Sequence, residues 1–148
     1  MCGITGFVTN KYTEQEKDQQ ITKMMDRIIH RGPDSSGKFI DQGVAMGYRR
    51  LSIIDLKGGS QPIFNEDDSK AVVFNGEIYN FQELRAELIE KGHIFSTKAD
   101  TEVILHGYEE YGADIVKKLR GMFSFAIWDR ERQELFGARD HFGIKPFY

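Results

Sequence analysis

The chain has 148 residues, 40% of them hydrophobic and 12% aromatic, which suits one domain with a buried core and not a disordered segment. Twenty Lys and Arg against 23 Asp and Glu leave a formal charge of −3, so there is no basic footprint for nucleic acid and no attraction to an anionic membrane surface. No apolar run reaches the length of a membrane span, no N-terminal stretch reads as a secretory signal, and the one cysteine forms no internal disulfide; a cytoplasmic, thiol-preserving setting is expected.

In chain order, Ile4 to Thr9 reads as a buried strand with Cys2 at its entrance. Glu14 to Ile29 carries an apolar stripe at helical spacing, Ile21, Met24, Met25, Ile28 and Ile29, and Arg31-Gly32-Pro33-Asp34 stops it. Lys38 to Asp41 and Val44 to Tyr48 form a hairpin around Gln42-Gly43. Leu51 to Leu56 is apolar, and the turn Lys57-Gly58-Gly59-Ser60 follows. Ala71 to Phe74 is a short buried strand that runs into Asn75-Gly76-Glu77.

Asn80 with Glu83 outlines a capping box for a helix carrying Leu84, Leu88 and Ile89 and closed by Gly92. Thr101 to Tyr111 is a second helix with Ile104, Leu105 and Tyr108 inward, and Ala113 to Leu119 is a short helical piece. Met122 to Trp128 and Glu134 to Ala138 are strands joined by the charged turn Asp129-Arg130-Glu131-Arg132, and Asp140 to Tyr148 is a loop entering another strand. Strands, helix, strands, helices, strands make an α+β order without regular βαβ alternation. The four histidines, His30, His93, His106 and His141, are scattered, with no Cys/His spacing of a metal site.

The chemistry starts at Cys2. Removal of Met1 would leave a residue bearing both a thiol and a free α-amine. A thiol has an ordinary pKa of about 8.5 and an α-amine one of about 7.7–8.0, so the amine can take the thiol proton near neutral pH. Terminal amines are a known base for such nucleophiles. A cysteine attacking an acyl carbon also needs donors for the oxyanion. Asn75-Gly76 at a strand end offers a side-chain amide and an unobstructed N–H. On its own, the same pair reads better as a hairpin turn; the helical residues after Glu77 count against that. Arg49-Arg50 can grip a carboxylate, and Glu77 and Asp100 can receive an ammonium, although single charges are more often solvated surface. His141 beside Asp140 is a weaker base candidate than the terminal amine. Met24, Met25, Phe123, Phe125 and Trp128 read as core.

Taken together, Cys2-Gly3-Ile4, His30-Arg31-Gly32-Pro33-Asp34, Arg50-Leu51-Ser52-Ile53, Phe74-Asn75-Gly76-Glu77-Ile78-Tyr79-Asn80 and Asp100-Thr101-Glu102 resemble class II, N-terminal nucleophile, glutamine amidotransferase domains. Gly121-Met122-Phe123-Ser124-Phe125-Ala126 and Arg139-Asp140-His141-Phe142-Gly143-Ile144-Lys145-Pro146 are similar to the glutaminase domain of glutamine-hydrolysing asparagine synthetases. The resemblance implies a four-layer α/β/β/α sandwich of the Ntn-hydrolase type. It implies hydrolysis of glutamine to glutamate and ammonia, with Cys2 as nucleophile, its α-amine as base, and Asn75 and the Gly76 N–H as the oxyanion hole. It further implies that Arg50 binds the glutamine α-carboxylate, that Glu77 and Asp100 bind the α-ammonium, and that Leu51, Ser52, Ile53 and Ile54 line the pocket largely through backbone. Arg50 is chosen over Arg49 because the family motif sets its arginine directly before Leu-Ser-Ile.

The resemblance also implies that this half-reaction uses no cofactor and no metal. ATP and Mg belong to a C-terminal synthetase domain, expected in cis and absent from this chain. Residues 1–148 thus read as one amidotransferase domain, incomplete at its C-terminal end. A homo-oligomer stays open, as does the glutaminase domain of another class II enzyme, making glucosamine phosphate or phosphoribosylamine. Retention of Met1 would block the amine and favour a non-catalytic regulatory domain.

Overall fold

Alternating and helical apolar patterns sort this chain into layers. The computed structural model describes residues 2–51 and 60–148. Strand β1 (Gly3–Val8) leads to helix α1 (Glu14–Arg27), a 3-10 turn at Ile29–Arg31, and strands β2 (Ser35–Ile40), β3 (Val44–Arg50), β4 (Ile63–Phe64) and β5 (Lys70–Ile78). Helices α2 (Phe81–Glu90) and α3 (Thr101–Tyr111), a 3-10 helix at Gly112–Lys117, and strands β6 (Gly121–Asp129) and β7 (Glu134–Arg139) follow.

The strands form two antiparallel sheets, ordered β1-β3-β2 and β4-β5-β6-β7. Successive side chains on a strand face opposite ways, so each sheet can bury both faces. On β3, Ala45 packs against Ile21 and Met25 of α1. Its neighbours Val44, Met46 and Tyr48 pack instead with Ala71, Val73 and Trp128 of the second sheet. On β5, Val72 and Phe74 turn away from that layer to meet Leu84, Leu88, Ile104 and Leu105 of α2 and α3. Three apolar interfaces therefore separate helix, sheet, sheet and helices, the four-layer α/β/β/α sandwich. Helix α1 lies so close to β3 that a Cβ at Gly47 would sit 2.6 Å from Met25 Cγ.

Several local expectations are corrected. Strand β1 is an edge strand, and along it only Gly3 is buried, so Ile4 to Thr9 is not a buried run. Ile29 and Ile89 are 48% and 51% exposed, since each stands one position past the packed face of its stripe. Asn80 precedes α2 but makes no cap with Glu83. Its amide donates to the Lys118 carbonyl at 2.9 Å and its oxygen accepts from the Arg120 N–H at 2.9 Å, fastening the approach to β6. A capping box does exist at α1, between Thr13 and Glu16. Asn75-Gly76 is no hairpin, since β5 continues to Ile78 and pairs with β6 throughout. The short strand β4 was not anticipated.

Asp140 to Tyr148 contains no strand. It is a loop built on Asp140, whose carboxylate accepts from the N–H groups of Phe123, Phe142, Ile144 and Lys145 at 2.9–3.1 Å. No helix among the described residues is long and apolar enough to cross a membrane.

Candidate active site

Strand alternation decides what faces the layer between the sheets. Cys2 immediately precedes β1 and packs with Ile4 against the inter-sheet cluster. Its sulfur accepts from the Tyr48 hydroxyl at 3.1 Å and lies 3.9 Å from the Leu51 carbonyl oxygen. Tyr48 is buried, and that burial, followed by its bond to the Cys2 sulfur, pushes the phenol far above its ordinary pKa. It is therefore a fixed donor to the sulfur.

The adjacent arginines part company on β3. Arg49 faces α1, where its Nε donates to the Met25 carbonyl at 3.1 Å and its Nη2 pairs with Asp26 at 2.7 Å. Arg50 has the parity of Tyr48 and so points to the inter-sheet side, and its charge acts on the Tyr48 phenol. Alternation thus sets Arg50, unlike Arg49, toward the inter-sheet layer.

The edge of β5 is arranged as closely. Strand β4 ends its pairing at Ile63 opposite Val72. Beyond it the side chain of Gln61 takes over the ladder: its Oε1 accepts from the Phe74 N–H at 2.6 Å and its Nε2 donates to the Phe74 carbonyl at 3.1 Å. Further along, the Ile78 N–H donates to Asp100 Oδ2 at 2.9 Å. In an antiparallel strand, backbone groups of residues two apart point the same way. The Gly76 N–H therefore lies on this same edge, between two occupied positions. A side chain at Gly76 is excluded, since a Cβ would lie 2.1 Å from the Met122 carbonyl oxygen and φ is +156°. Asn75 and Glu77 share the parity of Val73, so they face the inter-sheet layer; Asn75 is buried and Glu77 exposed.

Asp100 stands directly before α3. Burial raises its pKa; the N–H groups of Ile78 and Thr101 oppose the shift, and the nearby negative charge of Glu77 adds to it. The Asp100 charge is felt at Tyr48 as well. Tyr48, Arg50, Glu77 and Asp100 therefore share one electrostatic neighbourhood beside the Cys2 sulfur. A cation bound there would relieve Asp100.

Cys2 and Asn75 line a single cavity of about 430 Å³, floored by Met46, Val73 and Ala126. Arg50, Glu77 and Asp100 do not line that cavity; Arg50 and Asp100 act on Tyr48, and Glu77 on Asp100. Leu51 is placed by its carbonyl at Cys2, whereas the predicted Ser52, Ile53 and Ile54 lie outside the described residues. His30 and Arg31 line the cavity. His141 is exposed, and Asp140 beside it is engaged in its own loop. Sequence reasoning missed Tyr48 and Gln61. The period of two along β3 pointed to Tyr48, two residues before Arg50. Nothing local marked Gln61.

The glutamine amidotransferase domain model matches residues 1–148. The chain is 51% identical over 150 residues to asparagine synthetase [glutamine-hydrolyzing] 1 of Bacillus subtilis (strain 168), covering 100% of this chain and 24% of that protein. It is 44% identical to asparagine synthetase [glutamine-hydrolyzing] of Zea mays, covering 100% of this chain and 25% of the relative. The chain spans about a quarter of the length of these curated relatives. Among solved structures, glutamine phosphoribosylpyrophosphate amidotransferase from B. subtilis, complexed with ADP and GMP, superposes with a TM-score of 0.55 at 25% identity, over 68% of this chain and 24% of that one. With whole-chain agreement in sequence and a shared sandwich in structure, the chain belongs to the glutamine amidotransferase domain family.

Proposed function

We propose that this chain is the glutaminase part of a glutamine-hydrolysing asparagine synthetase. In this reading Cys2 releases ammonia from glutamine, and a C-terminal synthetase domain, in cis and beyond this chain, joins it to aspartate with ATP and Mg. The carrying observation is the sulfur of Cys2, which shares a cavity with Asn75 and a hydrogen bond with Tyr48, itself within the fields of Arg50 and Asp100.

The steps follow from these groups. With Met1 removed, the α-amine takes the thiol proton, and the thiolate attacks the side-chain amide carbon of glutamine. The oxyanion accepts from the Asn75 amide and the Gly76 N–H. The carbon–nitrogen bond breaks as the protonated amine hands its proton to departing ammonia. Water, giving a proton to the same amine, opens the γ-glutamyl thioester and restores the thiol. Arg50 grips the α-carboxylate of glutamine, and Glu77 and Asp100 hold its α-ammonium. No step calls for a metal or a cofactor. The setting for this biosynthetic chemistry is cytoplasmic.

The second reading, an amidotransferase of the phosphoribosylpyrophosphate type, rests on the solved structure at 25% identity; 51% and 44% identity to asparagine synthetases favours the first. A glutaminase assay on the chain with intact mass verified tests the proposal. Loss of Met1 and release of ammonia from glutamine are expected, and Asn75→Ala lowers turnover by about 10²–10³-fold with glutamine binding largely kept. A processed, folded chain that releases no ammonia would falsify the assignment.

A further inference from the structure

The scatter of histidines along the sequence hides a cluster that the fold assembles. His93 follows α2, His106 lies in the middle of α3, and their ring centroids are 5.3 Å apart. Glu109, one turn beyond His106, stands between them. Its Oε2 is 2.8 Å from His106 Nδ1 and 3.7 Å from His93 Nδ1. One donor atom from each of the three residues falls within 4.8 Å of the others.

We propose that His93, His106 and Glu109 bind one divalent transition-metal ion of the zinc class. Two imidazoles and a carboxylate are a ligand set suited to zinc, with bonds of about 2.0–2.2 Å and hence donor atoms roughly 3.3–3.5 Å apart. The two separations from Glu109 Oε2 lie on either side of that range and the third is within 4.8 Å, so binding asks for side-chain adjustment and no change of fold. The outward nitrogens strengthen the case. His93 Nε2 is 3.3 Å from Glu110 Oε2, and His106 Nε2 is 3.6 Å from Glu102 Oε1. Metal-bound histidines characteristically donate their other N–H to a carboxylate, which fixes the ring and raises its basicity.

His106 Nε2 is buried and has no hydrogen-bond partner among the described residues. A slight ring rotation toward a metal at Nδ1 would bring this N–H into range of Glu102. The partners themselves are anchored. Asn65 Nδ2 donates to Glu109 Oε1 at 2.7 Å, and Glu109 Oε2 shares a hydrogen bond with His106 Nδ1 at 2.8 Å, whose proton the ion would replace. Glu66 Oε1, which accepts from the Ile94 N–H at 3.3 Å, lies 4.0 Å from His106 Nδ1 on a half-exposed side chain, within reach of a further ligand position. Of the surrounding carboxylates, Glu110 is paired with Lys91, Glu102 is held by Ser96 and Thr97, and Glu109 feels the charge of Lys70. The ion would tie the α2–α3 connection to α3. This site takes no part in glutamine hydrolysis and does not rest on that reading.

The test is metal binding by the purified chain in a Cys2→Ser background, which removes the one thiol. Zinc affinity is read by competition with a chromophoric chelator, and cobalt(II) by its visible d–d bands. The parent should bind one equivalent, show the bands of a low-symmetry cobalt site, and melt at a higher temperature with zinc. His93→Gln, at a partly exposed position, should weaken binding at least about 100-fold and abolish the bands with its circular dichroism unchanged. Glu102→Gln, outside the ligand set, should weaken it about 10-fold. Absence of stoichiometric binding by the parent, or binding that survives both His93→Gln and Glu109→Gln, overturns the proposal.

Discussion

Asp100 and Glu102 stand two residues apart at the start of α3, and their surroundings shift their pKa values in opposite directions. Burial raises Asp100, and the N–H groups of Ile78 and Thr101 do not offset it against the added charge of Glu77. Burial would raise Glu102 as well, but it receives the hydroxyls and N–H groups of both Thr97 and Ser96 at 2.5–2.9 Å and ends below the ordinary range. Withdrawal from water does not decide the outcome; the supply of donors does. Glu102 is satisfied by the fold and fixes the preceding loop. Asp100 has fewer donors against its burial, which suits the ammonium-binding role proposed for it.

Substitution at each position separates the two roles. Asp100→Asn should lower kcat/KM for glutamine by about 10²-fold, the scale of losing one member of a buried charge pair, with the melting temperature unchanged or higher. A drop in melting temperature with kcat/KM intact would erase the distinction. Glu102→Gln should do the reverse: a loss of about 1.5–3 kcal/mol in urea unfolding, with kcat/KM of the folded enzyme within about twofold of the parent.

The pH dependence sharpens the contrast. Because the folded pKa of Asp100 is raised, its contribution to stability is full below the ordinary aspartate value of about 3.9 and is lost as pH rises through the folded value. Glu102, with a lowered folded pKa, contributes fully above about 4.3 and loses that contribution as pH falls through its folded value. Urea unfolding of parent and variants from pH 3 to 7 should therefore show Asp100→Asn gaining on the parent as pH rises and Glu102→Gln gaining as pH falls. Parallel curves would show the two carboxyls to be equivalent. The smallest effect expected is at Tyr48. Tyr48→Phe removes one hydrogen bond of about 1 kcal/mol to the sulfur and should cost roughly fivefold in kcat/KM, measured with ammonia release.

Much of this molecule was legible in the sequence where one physical pattern acts alone. Helix α3 falls on its predicted Thr101 to Tyr111 because its inward residues repeat at helical spacing and Gly112 ends it with a positive φ. The motif singles out Arg50, and strand alternation sets it on the opposite side of β3 from Arg49. The failures have a common cause. Asn80, Gln61 and His93 take their meaning from partners 13 to 40 residues away, at Arg120, Phe74 and His106. An asparagine before a helix resembles a cap whatever its side chain finds across the fold. The edge position of β1 was equally hidden, since pairing order is a property of the assembled sheet.

Gln61 shows how economical the opening beside Gly76 is. A side-chain amide finishes the pairing that a longer β4 would otherwise provide, and it covers one backbone position only. Among the described residues, a β4 that continued opposite Gly76 would complete the hydrogen-bonded row and occupy the N–H proposed for the oxyanion. On that proposal the site depends on an interrupted ladder, and regularity in this sheet would be inhibitory.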